Sequence, residues 1–178
     1  MTRATSKTMI PDDQLRDGFD RISSTPIYWV MKAQDLLKAS QILEEHDQFF
    51  DAMKNQKGFS ESKHHLFSII LMLRGMAFEA LFKGLLTKQG IITSKNGELV
   101  LPEKYKKHNL RSMAGDVKGL DLEEDDYATL FTLSKQISLA RLPAKKAPTA
   151  SEMDQIGWMA PHDEEVYRKV LDKVLAMY

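Results

Sequence analysis

The sequence predicts an all-α protein, an up-and-down helical bundle of about five helices with one short β-hairpin insertion. Long segments carry apolar residues at steps of three and four, which is the spacing of one helix face. Glycine, proline, serine or threonine lies where these segments begin or end. Two short β-favouring runs surround Asn96-Gly97, a dipeptide that suits the positive φ angles of a type I′ hairpin turn.

Composition sets the domain organisation. With 178 residues, 43% of them hydrophobic, the chain can bury one core, and we expect a flexible N-terminal arm over residues 1–24 followed by a single domain over 25–178. Lys plus Arg and Asp plus Glu both number 25, so no net charge draws the whole molecule toward nucleic acid or an anionic membrane. There is no cysteine, which excludes disulfides and thiol chemistry, and no membrane-spanning or signal-like segment, so a cytoplasmic protein is expected.

The first helix is predicted from Ile27 to about Asn55. Thr25 can act as its N-cap, and Pro26 suits the first helical position, where a missing N–H loses no hydrogen bond. Gly58 ends the segment. The predicted apolar stripe consists of Val30, Ala33, Leu37, Ser40, Leu43, Phe50 and Met53.

A second long helix is predicted to start at Ser60 or Ser62 and to reach Gln89, with Gly90 as a left-handed stop. After the hairpin, a shorter third helix is predicted from about Tyr105 to Lys118. Gly119 closes this third helix, whose apolar face carries Leu110, Met113 and Val117.

The fourth helix is predicted to end near Arg141, because Pro143 disfavours helical geometry in the residue before it. Its acidic run Glu123-Glu124-Asp125-Asp126 looks like an active-site cluster, but the helix dipole, which favours negative charge at the first turn, explains it better. The predicted apolar stripe consists of Tyr127, Leu130, Phe131, Ser134 and Ile137.

A long connection, Leu142 to Pro161, precedes the last helix, which is predicted from Asp163 to Met177. Connections of this length are uncommon in compact domains and are often binding loops or lids. Trp158 lies in this connection, and its large apolar area predicts that it is buried.

The second helix is apolar nearly all the way round, yet it places Glu79 and Lys83 one turn apart on a narrow polar stripe. Arg74 and Lys88 lie near the opposite side. One stripe should face water, and the other should face something buried or functional. The alternative for Glu79 and Lys83 is an ordinary solvent-side ion pair, worth about 0.2–0.5 kcal/mol.

Two further candidates come from neighbouring segments. Arg141 continues the apolar stripe of the fourth helix, so it would need a carboxylate such as Glu79 if it is buried. Alternatively, Arg141 extends outward or caps carbonyls at the helix end. His108 is solvated if the third helix begins before it, but it can turn toward the bundle if Asn109 is the N-cap.

The run FEALFKGLL with Glu79 and Lys83, the later His108-Asn109-Leu110 and the segment Ala140-Arg141-Leu142-Pro143 together resemble the HEPN-like bacterial helical bundles. In some members a Glu and a Lys on one long helix, a His-x-Leu and an Arg-Tyr-Pro occur in this order. The resemblance extends over roughly residues 60–178. It implies a small non-enzymatic module, a homodimer, that binds a protein or nucleic-acid partner in bacterial stress, toxin–antitoxin or phage defence.

Two departures from the family pattern bear on activity. Leu142 replaces the tyrosine, and no arginine is followed five positions later by histidine, so the Arg-x4-His signature of the ribonuclease members is absent. The metal-free RNA cleavage which that signature implies is therefore not supported. The rival prediction is an enzyme acting on RNA or a nucleotide, whose polar cluster consists of Glu79, Lys83, His108 and Arg141.

Two basic runs suit phosphate contacts, although solvated surface lysines are the commoner explanation. They consist of Lys104, Lys106, Lys107 and Arg111 around Tyr105, and of Lys145 and Lys146 in the long connection. The histidines include no pair at (i, i+3) or (i, i+4), and no nucleotide-binding or serine-hydrolase motif occurs, so neither a metal site nor a cofactor is predicted.

Overall fold

The computed structural model describes residues 11–54, 66–105, 107–139 and 163–176. These ranges are mostly helical and contain one two-stranded antiparallel sheet, which confirms the predicted fold class. No helix within them is long and apolar enough to cross a membrane. The elements are α1 (Asp12–Ser23), α2 (Pro26–Lys54), α3 (Phe67–Lys88), β1 (Thr93–Lys95), β2 (Glu98–Val100), a 3-10 turn (Glu103–Tyr105), α4 (Leu110–Asp116), α5 (Glu124–Leu139) and α6 (Asp163–Leu175).

Helix α3 is the centre of the bundle. It packs most extensively against α2, and α4, α5 and α6 contact its other sides. Because neighbours surround it, α3 needs apolar residues nearly all the way round, as its sequence has. Its buried side chains include Phe78, Leu81, Phe82, Leu85 and Leu86.

The predicted helix ends of α2 and α3 agree with the structure where residues are described. Helix α2 begins at Pro26, and Gly90 after α3 has a φ of 72°. The Thr25 hydroxyl, directly before α2, donates to the Arg21 carbonyl of α1 at 2.6 Å. The predicted boundary residues Gly58, Ser60 and Ser62 lie outside the described ranges.

The hairpin forms where it was predicted. Lys95 pairs with Glu98 across the turn, and Asn96 and Gly97 have φ angles of 57° and 77°. Positive φ at both central residues is the requirement of a type I′ turn.

Helix α1 lies within the expected N-terminal arm, where no helix was predicted. Asp20 anchors it to the hairpin by accepting hydrogen bonds from the Ser94 hydroxyl at 2.5 Å and from the Gly97 N–H at 2.9 Å. These contacts join residues more than seventy positions apart. Short-range periodicity therefore gave no indication that this segment is held against the fold.

Helix α4 starts later than predicted. The 3-10 turn ends at Tyr105, His108 has a left-handed φ of 55°, and α4 begins at Leu110 with Asn109 as its N-cap. The Asn109 side chain accepts the Ser112 N–H at 3.0 Å. The prediction of a helix from about Tyr105 to Lys118 is therefore wrong at its start, because the backbone at His108 is not helical.

The core face of α5 is rotated from the predicted stripe. Leu130, Leu133 and Ile137 are fully buried, whereas Phe131 is exposed.

Within the acidic run at the start of α5, Asp126 has a structural role. Its carboxylate accepts the Glu123 N–H at 2.9 Å and pairs with Lys169 of α6 at 3.0 Å. Hydrogen bonding to Asp126 raises the pKa of Lys169.

Candidate functional site

Glu79 and Lys83 form a largely buried ion pair on α3. Lys83 Nζ lies 2.7 Å from Glu79 Oε1, and the two side chains are 18% and 9% exposed. They are therefore not an exposed surface pair, because charges this far from water need partners.

His108 supplies the second contact to the same carboxylate. Its Nδ1 lies 2.6 Å from Glu79 Oε2, so the two carboxylate oxygens are used by two different residues. The structure thus brings together three of the four residues of the predicted polar cluster. Arg141, the fourth, lies outside the described residues, and its contact with Glu79 stays a prediction.

The backbone at His108 is held in an unusual conformation. Left-handed φ angles such as its 55° cost a non-glycine residue roughly 1–2 kcal/mol. Asn109 fixes the start of α4 directly after it, and the Leu110 N–H donates to the Ser134 hydroxyl of α5 at 3.0 Å. These anchors turn the imidazole toward α3 instead of leaving it in water.

The charge state of Glu79 determines which ring nitrogen of His108 donates a hydrogen bond and which can accept one. Burial alone would raise the pKa of Glu79, but Lys83 and His108 together lower it below its ordinary value. An ionised carboxylate only accepts hydrogen bonds, so His108 Nδ1 must carry the proton that is shared with it. A neutral imidazole then presents the lone pair of Nε2, which has no partner among the described residues.

A cleft of about 220 Å³ opens beside this cluster. Its apolar wall includes Trp29 of α2, whose Nε1 donates to the Ser23 carbonyl at 2.9 Å. The Lys83 ammonium lies 5.5 Å from the centre of the indole ring. Gly84 allows α2 to lie close to α3, because a Cβ at this position would be 3.2 Å from the Trp29 Cβ. The described residues that line the cleft are Trp29, Lys32, Leu36, Met76, Glu79, Ala80, Lys83 and His108.

The opposite polar side of α3 carries a second ion cluster. Arg74 donates to Glu44 of α2 at 2.6 Å and to Asp163 of α6 at 2.8 Å, and its side chain is only 11% exposed. The expectation that one stripe of α3 faces water therefore fails at Arg74, although Lys88 is exposed. Since the Arg74 cluster ties three helices together, we interpret it as structural.

Two of the predicted phosphate-contacting residues form ion pairs within the described part of the chain. Lys104 pairs with Asp116 at 2.5 Å and Arg111 with Glu124 at 3.3 Å, so both cations already have carboxylate partners. Lys107 is exposed beside His108. The remaining predicted residues, and the predicted buried tryptophan, lie outside the described ranges; they are Lys106, Lys145, Lys146 and Trp158.

Sequence reasoning did not identify Trp29 and Lys32 as site residues. They lie three positions apart near the start of α2, and they reach the cluster because α2 packs along α3. For His108, the sequence offered the alternative that Asn109 is the N-cap of the following helix, which would let His108 turn toward the bundle. The structure confirms Asn109 as this N-cap.

Comparison with known proteins identified no relative. A scan against protein-family models matched none of them, and searches of curated proteins and of solved structures also found no match.

Proposed function

We propose that this chain is a HEPN-like helical module that binds RNA, with a nucleotide unit seated in the cleft of Trp29, Lys32, Lys83 and His108. The observation that carries the proposal is the left-handed His108 held against buried Glu79 at the edge of that cleft. Backbone strain of this kind concentrates at functional sites, where it fixes a side chain in a required position.

Charge favours an anionic ligand. Among the described residues, two lysines and His108 share the cleft with a single carboxylate, Glu79, so these residues have a net positive charge even when the imidazole is neutral. Lys32 is exposed and forms no ion pair with another described residue. A phosphate group can accept from its ammonium and from a protonated His108 Nε2.

The apolar wall favours a ligand that has a ring as well as a phosphate. Trp29, Leu36 and Met76 line the same cleft as its charged groups. A base can pack on such a surface while its phosphate contacts the lysines, and this combination is how proteins bind single-stranded RNA without strong sequence preference.

A second candidate is an RNA- or nucleotide-directed enzyme that uses the same cleft. It is favoured by the 2.6 Å contact between Glu79 and His108 Nδ1, since a carboxylate in this position orients an imidazole whose Nε2 can accept a proton. This function predicts cleavage of labelled RNA that disappears in His108→Ala. Intact RNA after prolonged incubation with the wild-type chain would leave binding as the better account.

The cellular setting of the proposal rests on the resemblance alone. It places the module, as a homodimer, in bacteria, in stress response, toxin–antitoxin regulation or phage defence. The resemblance has no support from relatives, so the RNA-binding proposal depends on the cleft and not on the family.

RNA binding is testable through its salt dependence. Binding of a labelled pool of short RNAs, measured by fluorescence anisotropy, should weaken linearly in logarithmic units as salt rises, because phosphate contacts release counterions. Lys32→Ala should weaken binding and reduce the salt slope by about one unit. Lys95→Ala, an exposed lysine on the hairpin, is the matched control and should leave both unchanged. Absence of measurable binding at low salt would contradict the proposal.

A further inference from the structure

We propose that Asn96 is a self-modifying site, which converts to aspartate and isoaspartate with loss of ammonia, and that docked α1 restrains this reaction through Asp20. The proposal is independent of RNA binding. It rests on the hairpin turn, where an exposed Asn96 is followed by Gly97, and on the hydrogen bond that Asp20 accepts from the N–H of this glycine.

The reaction needs the side chain of Asn96, the backbone nitrogen of Gly97 and water. After losing its proton to solvent, the Gly97 nitrogen attacks Cγ of Asn96. A new N–C bond closes a succinimide ring, and the side-chain nitrogen leaves as ammonia. Water then adds to either ring carbonyl and opens the ring, to aspartate or to isoaspartate, whose main chain runs through the former side-chain carbon. Nothing is oxidised or reduced in these steps.

The position of Asn96 leaves this chemistry open to solvent. Its side chain is exposed at the tip of the hairpin, so water reaches the carboxamide and the released ammonia can leave. The following residue is glycine, which has no Cβ to shield the attacking nitrogen. The sequence and the exposure of this turn therefore favour the reaction.

Asp20 holds the attacking nitrogen in an unreactive state. Its Oδ1 accepts the Gly97 N–H at 2.9 Å and the Ser94 hydroxyl at 2.5 Å. Removing the proton from Gly97 would leave a negatively charged nitrogen beside a carboxylate, and two like charges at this separation repel each other. The hydrogen bond also fixes the plane of the peptide bond between residues 96 and 97, so its nitrogen is not free to turn toward Cγ.

This restraint depends on the docking of α1. Asp20 lies 77 positions from Gly97 in the sequence and reaches it because α1 packs against both strands of the hairpin. The packing is close at the turn, where a Cβ added to Gly97 would be 2.8 Å from the Arg16 Cγ. Ser23 is the one buried residue of the described helix α1, so little burial opposes its separation from the fold. When α1 separates, the Gly97 nitrogen is released to react.

Isoaspartate would make the separation of α1 permanent. It lengthens the main chain within a two-residue turn, and the pairing of Lys95 with Glu98 depends on the length of this turn. In the altered turn, the Gly97 N–H no longer lies opposite Asp20. The modification is therefore a one-way record that α1 has left the hairpin.

Peptide mass spectrometry of the full chain, incubated in mildly alkaline buffer at physiological temperature, tests the restraint. Deamidation of Asn96 should be at least tenfold slower in the folded wild type than in the same chain unfolded in urea. Asp20→Ala should accelerate it at least tenfold, while hydrogen exchange of α3 shows that the core stays folded. Asp17→Ala, which removes an exposed aspartate from the same helix, is the matched control and should react at the wild-type rate.

Should Asp20→Ala unfold the core, Asp20→Asn decides the question. It keeps an acceptor oxygen for the Gly97 N–H but lacks the charge, so it should still deamidate at Asn96 faster than the wild type. A variant with a folded core that reacts no faster than the wild type would overturn the proposal. So would a slower reaction, which is expected if Asp20 acts as a base toward the Gly97 N–H.

The separation of α1 has its own readout. The deamidated chain carries one more negative charge, so anion exchange isolates it from the unmodified chain. Its α1 amides should exchange with solvent at least tenfold faster, with α3 unchanged. Asn96→Gly suits the same turn but cannot deamidate, so it should keep α1 protected after the same incubation. Unchanged exchange of α1 in the isoaspartate form would overturn the one-way release.

Discussion

Arg74→Ala is expected to lower the free energy of unfolding by about 3–5 kcal/mol, the range observed when one member of a buried ion pair is removed. Without the guanidinium, the Asp163 carboxylate, whose side chain is 9% exposed, loses its partner at 2.8 Å. Glu44 loses a partner as well, but it is 40% exposed and water can replace the contact. Urea denaturation followed by circular dichroism measures the loss.

Arg168→Ala is the matched control, because Arg168 is an exposed arginine on the same helix as Asp163. Its substitution should cost well under about 1 kcal/mol. In a double-mutant cycle with Asp163→Asn, Arg74→Ala should show a coupling of about 0.5–3 kcal/mol, whereas additive effects would show that the two residues do not interact in solution.

Glu79→Gln is expected to cost about 2–3 kcal/mol near neutral pH, because it leaves Lys83 and His108 facing an uncharged amide. The expected loss is smaller than for Arg74→Ala, since Lys83 and His108 are 18% and 21% exposed and can turn toward water. Exposed Glu98→Gln on the hairpin controls for the substitution itself.

The effect of Glu79→Gln should depend on pH in a defined direction. The pKa of Glu79 in the folded chain lies below its ordinary value of 4.5, so its ionised form stabilises the fold above that pH and the contribution is lost as pH falls through the lowered pKa. The stabilities of wild type and variant should therefore converge only as pH falls below the lowered pKa of Glu79. If the stability difference between wild type and Glu79→Gln persisted unchanged at acidic pH, the negative charge of Glu79 would not be what stabilises the fold.

Helical periodicity was sufficient to predict the bundle and part of the site. The apolar circumference of α3 predicted that a polar stripe of this helix faces something buried or functional, and the step of four residues from Glu79 to Lys83 predicted that they share a face. Local turn chemistry was sufficient for the Asn96-Gly97 hairpin, because the positive φ angles there are a property of those two residues.

Contacts between distant segments could not be predicted in the same way. Arg74 finds Glu44 and Asp163 at separations of 30 and 89 residues, and nothing in the local pattern specifies either partner. The contact of His108 with Glu79 depends on one left-handed φ angle, which a helical pattern starting at Tyr105 conceals. The cleft forms because α2 packs along α3. The sequence around Trp29 and Lys32 therefore gave no indication that these residues line a site.

The central claim is that the His108 imidazole is held against Glu79 for ligand binding, a role beyond its contribution to stability. His108→Gly separates the two roles, because glycine accepts the left-handed φ without strain while it removes the imidazole. Relief of roughly 1–2 kcal/mol of strain offsets the lost hydrogen bond of about 1.5–3 kcal/mol, so the variant should stay within about 2 kcal/mol of the wild type.

The decisive measurement is RNA affinity and unfolding free energy on the same preparations of wild type, His108→Gly and His108→Ala. We predict that both variants lose RNA affinity at least tenfold, while only His108→Ala, which keeps the strained backbone, is clearly destabilised. An affinity of His108→Gly that stays within twofold of a measurable wild-type value would contradict the claim and leave the Glu79 cluster as a purely structural feature of α3.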